Sequence, residues 1–160
     1  MPTVAEIIAA LELKPLPREG GYYRETYRSA DSMPSAGGAK SAATAMYYVL
    51  TADTCSALHR LPADEIFHFY AGDPVRMLQL LPDGRGDILT LGANVLADQR
   101  PQVVVPRGVW QGSLLEPGGQ FAVMGTTMAP GFDFADYEAG DRAALMSQYP
   151  AFAELIERLT

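Results

Sequence analysis

The sequence predicts an all-β fold, an antiparallel sandwich or barrel with a helix before it and a helical tail after it. Three observations carry this reading. First, short runs rich in Tyr, Val, Phe, Thr and Leu recur from Gly20 to about Pro130: "GGYYRETYRS", "TAMYYVLT", "EIFHFYAG", "VRMLQLLP", "DILTLG", "QVVVP", "GVWQGSLLE" and "QFAVMGTTM". Second, turn signals break them apart, including "PDG" at 82–84 and "EPGG" at 116–119. Third, helix-period patterning is confined to the two ends. About eight or nine short strands in about 110 residues match an antiparallel sandwich or barrel.

Taken in order, Thr3 and Glu6 form a capping-box pattern, in which hydroxyl and carboxylate satisfy the first free amides of a helix. Val4, Ile7, Ile8 and Leu11 then share one helical face, so residues 1–15 read as a short amphipathic helix ending before Pro15. The barrel strands occupy 20–130. "SADSMPSAGGAK" at 29–40 reads as a polar, mobile loop. "APGFDF" at 129–134 reads as a rigid loop over one end of the barrel or against a neighbouring subunit. Residues 138–160 read as a helical tail with Pro150 opening its last segment. No repeat or interdomain linker is visible, and 160 residues fit one domain.

Hydrophobic residues make up 48% of the chain and charged residues 19%, which is a globular composition. The formal charge is −7 and the cations are not clustered, so phosphate backbones and anionic membrane surfaces are poor partners. Cys55 is the one cysteine, and a buried structural thiol in a reducing compartment is the expectation. The N-terminus has no basic region, and Glu6 and Glu12 interrupt its apolar run. It reads as neither a signal peptide nor a membrane span, and the expected location is the cytoplasm.

"HRLPADEIFHFYAG" at 59–72 holds both histidines and Glu65. Strand alternation puts Cys55, Ala57 and His59 on one face of the approaching strand. It puts Glu65, Phe67 and Phe69 on one face of the returning strand, with Ile66, His68 and Tyr70 opposite. His59 and Glu65 can then face each other while His68 points away, unless a bulge shifts the alternation. A buried His–Glu pair can transfer protons or ligate a metal. It can also be a hydrogen-bonded pair with no chemistry. In "VVVPRGVWQGS" at 103–113, Pro106 and Gly108 form a turn, and Val109, Gln111 and Ser113 share a face opposite Trp110. Gln111 can therefore join the pair and hydrogen-bond a ligand carbonyl or hydroxyl. On an early strand Tyr22, Arg24 and Thr26 alternate with Tyr23, Glu25 and Tyr27. Arg24 is a candidate to hold a ligand carboxylate or phosphate, and a surface ion pair is the alternative. One of Tyr47 and Tyr48 must point inward, and Tyr47 is taken as the ligand-binding one.

These two stretches resemble the paired motifs of the cupin superfamily. The first motif carries two histidines, a glutamate and a glycine. His59, Glu65 and Gly72 match with the right spacing, and Leu61 stands at the second histidine. The second motif carries Pro-x-Gly and a histidine, where Pro106 and Gly108 match and Gln111 replaces the histidine. Two of the four usual metal-ligand positions are thus changed. "GGYYRETYRS", "HRLPADEIFHFYAGDPV", "PQVVVPRGVWQ" and "MAPGFDFADYE" further resemble the cupin branch often labelled predicted sugar epimerase. The resemblance implies a double-stranded β-helix, or jelly-roll barrel, and a homodimer. The label rests on similarity of fold to deoxysugar-nucleotide 3,5-epimerases, which use a His base, an Asp partner and a Tyr acid without metal.

The leading expectation is an isomerase or epimerase acting on a small carbohydrate-like ligand in the barrel. His59 and Glu65 would move protons, and Gln111, Arg24 and Tyr47 would hold the ligand. One alternative is a metal-dependent cupin enzyme with Zn, Ni, Mn or Fe on His59, Glu65 and Gln111. The other is a small-molecule binder without turnover.

Overall fold

The computed structural model describes residues 3–160. The chain enters through helix α1 (Val4–Ala10), and Thr3 and Glu6 close the expected capping box. Thr3 N donates to Glu6 Oε2 at 2.7 Å and Glu6 N to Thr3 Oγ1 at 3.3 Å. The helix is shorter than the sequence pattern implied. Leu13 N reaches back to Ile8 O at 2.9 Å while Glu12 adopts φ of 53°. This is a Schellman closure with glutamate in the left-handed position where glycine is usual. Pro15 consequently lies in a two-residue edge strand, β1 (Lys14–Pro15), where its missing N–H costs little.

The strands that follow are β2 (Tyr22–Arg28), β3 (Ser32–Met33), β4 (Lys40–Ser41), β5 (Thr44–Thr51) and β6 (Cys55–Arg60). Then come β7 (Glu65–Gly72), β8 (Val75–Leu80), β9 (Gly86–Leu91), β10 (Gln102–Val105), β11 (Trp110–Leu115), β12 (Phe121–Met128) and β13 (Glu138–Ala139). The segment expected as a loop at 29–40 pairs its two ends into the β3–β4 ribbon. One sheet runs β1-β2-β5-β12-β7-β10 and a second runs β13-β6-β11-β8-β9. Their ladders are antiparallel. From β5 to β8 the chain changes sheet at every step, and again from β9 to β12. Short antiparallel strands wound alternately through two facing sheets make the jelly-roll barrel that the sequence predicted.

The facing surfaces bury Tyr48, Phe67, Met77, Leu91, Val103 and Met124 in one core. Helix α1 covers the outside of the first sheet, where Ile7 and Leu13 pack on Val49. Helices α2 (Arg142–Gln148) and α3 (Ala153–Arg158) cover the outside of the second, with Leu145, Ile156 and Leu159 on Leu58 and Leu78. Asp141 caps α2 by accepting from Ala144 N at 2.8 Å, and Pro150 opens the turn between the helices, as the tail pattern implied. Among the described residues no helix is long and apolar enough to cross a membrane.

Candidate functional site: a carboxyl-floored cavity in the barrel

A cavity of about 490 Å³ opens at one end of the barrel. Its floor is formed by Glu19, Glu65, Thr126 and Leu61, and its mouth by Lys14, Tyr23, Arg28, Phe132 and Phe134. The floor is built by three local devices.

The first is a bulge in β6. Gln111 faces His59 across the β6–β11 ladder, but Ser113 faces Ser56, so β6 carries one residue more than its partner. The bulge breaks the expected alternation of Cys55, Ala57 and His59. Ser56 and His59 point inward together, while Cys55 and Leu58 pack towards the tail helices.

The second device is the β7 register. Glu65 and Phe67 are buried inward. His68 points the other way, its Nε2 3.0 Å from Thr127 Oγ1 and its Nδ1 3.4 Å from Gln102 Nε2. Gln111 Nε2 donates to Glu65 Oε2 at 2.8 Å, so the glutamine at the changed motif position binds the motif glutamate. The turn glycine of the second motif, Gly108, donates to Leu61 O at 2.8 Å, which ties the two motifs together.

The third device is the tight loop before β2. Arg18, Gly20 and Gly21 have φ of 67°, 95° and 72°. A Cβ on Gly20 would meet Cys55 O at 2.4 Å, so this position admits only glycine. Ala57 N donates to Glu19 O at 2.8 Å and Tyr48 Oη to Gly20 O at 2.9 Å. The loop is thereby stitched into the barrel with the Glu19 side chain inside it. Ser56 Oγ donates to Glu19 Oε1 at 2.9 Å. Sequence reasoning missed Glu19. Its signal is a glutamate immediately before a Gly-Gly pair at a strand entrance.

His59 is 1% exposed and sits one layer behind the cavity wall. Its Nδ1 lies 2.7 Å from Ala57 O. A carbonyl can only accept, so Nδ1 carries the hydrogen and the neutral ring turns its Nε2 lone pair to Glu19 Oε2, 3.8 Å away. That separation exceeds a hydrogen bond, and burial holds the imidazole below its usual pKa, so the contact is not an ion pair. Tyr137 stacks on the imidazole with ring centroids 4.9 Å apart, and Arg18 covers Tyr137. The Tyr137 hydroxyl is buried without a hydrogen-bond partner.

Burial pushes Glu19 up to about 7, against the Ser56 and Tyr48 hydroxyls that favour its anion. Burial and then the Glu19 charge push Glu65 up to about 7, with His59 and Gln111 opposing. Two carboxyls in one dry floor cannot both ionise cheaply, so protons stay in the site at neutral pH.

Arg24 and Tyr47 are placed differently from expectation. Tyr47 is on the outer face of its sheet, edge-on to Tyr70 at 6.3 Å and beside Val49 and Tyr22. Tyr48 is the inward tyrosine, because β5 pairs Tyr48 with Met124 on the core side. Arg24 reaches the cavity rim, but its guanidinium stacks over Tyr47 and pairs with Glu12 at the end of α1. Glu25 pairs with Arg28 instead.

His59, Glu65 and Gln111 do not fit a metal ion as a set. Gln111 presents its amide N–H to Glu65, and among the described residues no group of three His, Cys, Asp or Glu side chains is arranged to hold one.

The jelly roll, the paired turn motifs and the cavity between the sheets define a cupin. The chain belongs to that superfamily: the family model described as Cupin superfamily (DUF985) matches residues 5–140. It is 31% identical over 134 residues to the uncharacterized protein YML079W of Saccharomyces cerevisiae, covering 75% of this chain and 67% of that one. Protein SO0799 from Shewanella oneidensis superimposes with a TM-score of 0.90 at 32% identity, covering 100% of this chain and 98% of the other. A hypothetical protein from Leishmania major gives 0.90 and 32%, with 99% of each chain covered. Oxalate decarboxylase of Bacillus subtilis shares the fold alone, with a TM-score of 0.57 at 14% identity over 93% of this chain and 38% of that one.

Proposed function

We propose that this cupin is an acid–base isomerase or epimerase acting on a small carbohydrate-like ligand held in the barrel. One observation carries the reading: two buried carboxyls on separate elements, Glu19 and Glu65, share the floor of a ligand-sized cavity with a neutral imidazole behind them. Carboxyls raised to about 7 are poised both to take and to give protons near neutral pH. The hydroxyl of Thr126 adds a polar floor contact, and Leu16 and Met46 give apolar walls. A floor of hydrogen-bonding groups without a cation suits an uncharged polyhydroxylated end of a ligand.

The chemistry is proton transfer at a carbon next to a carbonyl. One carboxylate takes the C–H proton, and the bonding pair stays on the ligand as an enolate. A carboxylic acid then returns a proton, either to the same carbon for epimerisation or to the former carbonyl carbon for isomerisation. In the second case the proton of the neighbouring hydroxyl moves to the former carbonyl oxygen, and that hydroxyl becomes the new carbonyl. No atoms are gained or lost.

The test begins with thermal shift against aldoses, ketoses and sugar phosphates, since a ligand that binds the folded state raises Tm. A ligand found in this way is incubated with the protein in D2O and followed by NMR. Deuterium at the carbon beside the carbonyl is expected with the wild type and not with the Glu19→Gln/Glu65→Gln double variant. A ligand that binds and is recovered without deuterium makes the protein a binder rather than an isomerase.

A further inference from the structure

We propose that Glu19 is the catalytic acid–base residue that touches the ligand, and that the motif histidine, His59, is a positioning residue acting through it. This rests on the isomerase reading above and assigns the roles within it. Glu19 lines the cavity and His59 does not. Nδ1 is held by Ala57 O and one face by Tyr137, while Nε2 is turned towards Glu19 Oε2 at 3.8 Å. A ligand in the cavity therefore meets the carboxyl of Glu19 before it meets the ring.

The proton count follows from the bonds. With Nδ1–H fixed on Ala57, Nε2 can only accept. A proton that Glu19 takes from a ligand C–H leaves the electron pair on carbon and makes Glu19 a neutral acid. That acid can lean on the Nε2 lone pair or pass it the proton, leaving carboxylate beside imidazolium with the total unchanged. Glu65, held by Gln111, is the second carboxyl and supplies the returning proton.

The backbone points the same way. Arg18 is a non-glycine residue at φ of 67°, next to two glycines of positive φ, all within the loop that inserts Glu19. Such strain persists where the surroundings over-determine a position. Here the over-determining contacts are Ala57 N on Glu19 O and Tyr48 Oη on Gly20 O.

The experiment compares Glu19→Gln with His59→Asn. Both are checked for folding by near-ultraviolet circular dichroism and then assayed with the ligand that exchanges deuterium. Glu19→Gln is expected to lower kcat about 10²–10⁴-fold with KM little changed, the usual contribution of a general acid or base. His59→Asn is expected to keep measurable turnover, losing about tenfold, with the pH–rate profile displaced because Glu19 has lost its proton acceptor. Wild-type kcat in Glu19→Gln, or a loss in His59→Asn as large as in Glu19→Gln, overturns the assignment.

A second readout needs no ligand. The chain has 2 histidines, so 15N NMR resolves the His59 Nε2 resonance, with His68→Asn to assign it. That resonance should move in Glu19→Gln, and an unmoved resonance overturns the Glu19–His59 contact. Absence of deuterium exchange in the wild type instead defeats the isomerase reading and the catalytic role with it, while the NMR result stands separately.

Discussion

Gln111 gives Glu65 a neutral amide where the cupin motif has a histidine. The amide hydrogen bond at 2.8 Å satisfies one carboxyl oxygen without adding a positive charge. Nothing in the floor therefore neutralises Glu65 fully, and burial with the neighbouring Glu19 keeps it protonated further up the pH scale than an exposed glutamate. Gln111→Leu is close in volume but removes the donor. It should destabilise the protein by about 1–3 kcal/mol, the cost of leaving a buried acceptor unmade. Urea denaturation measures it, and an unchanged midpoint contradicts the role given to Gln111. The proximity of Gln111 to Glu65 was legible from the paired motifs, whereas the position of His59 behind the cavity wall was not. Tyr47 was misplaced because the two adjacent tyrosines differ only in strand parity, which the pairing of β5 with β12 decides.

At the level of elements, the site depends on one loop and one bulge. Residues 16–21 carry Glu19 inward because glycine at position 20 lets the backbone pass against Cys55 O. Gly20→Ala should cost several kcal/mol, combining positive φ with an overlap that only backbone movement relieves. Gly84 supplies the control: its φ is 89°, but a Cβ there meets nothing within 4 Å. Gly84→Ala should cost only about 1–2 kcal/mol from the backbone conformation. Equal losses of denaturation midpoint in the two variants would show that the loop's close fit is not what fixes Glu19. The strands, both end helices and the capping box were legible, since period-two runs, turn signals and caps act over a few residues. The loop contact and the β6 bulge were not. Each is decided by residues far apart in sequence, Glu19 with Ala57 and Ser113 with Ser56. The early helix stop was hidden for a related reason, because Glu12 takes a position that sequence patterns reserve for glycine.

Over the whole molecule, the buried floor links proton binding to stability. Glu19 and Glu65 have folded pKa values raised from 4.5 to about 7, so between those limits the folded chain holds more protons than the unfolded one. Their contribution to stability is complete below pH 4.5 and is lost as pH rises towards 7. His59 opposes them. Its folded pKa is depressed, so its contribution is lost as pH falls below 6.5. Two carboxyls outweigh one imidazole. The wild type should therefore lose more stability between about pH 5 and pH 8 than the Glu19→Gln/Glu65→Gln double variant, at about 1.4 kcal/mol for each unit by which a pKa is raised. Thermal melts of both proteins across that range measure the difference, and parallel curves contradict the linkage. The most direct measurement is the infrared carbonyl stretch of protonated carboxyl groups at about pH 6, where ordinary exposed carboxyls are ionised. The wild type should show a protonated-carboxyl band that fades by about pH 8, weakens in each single glutamine variant and is absent from the double variant. No band at that pH, or a band that survives the double substitution, would contradict a proton-holding floor formed by Glu19 and Glu65.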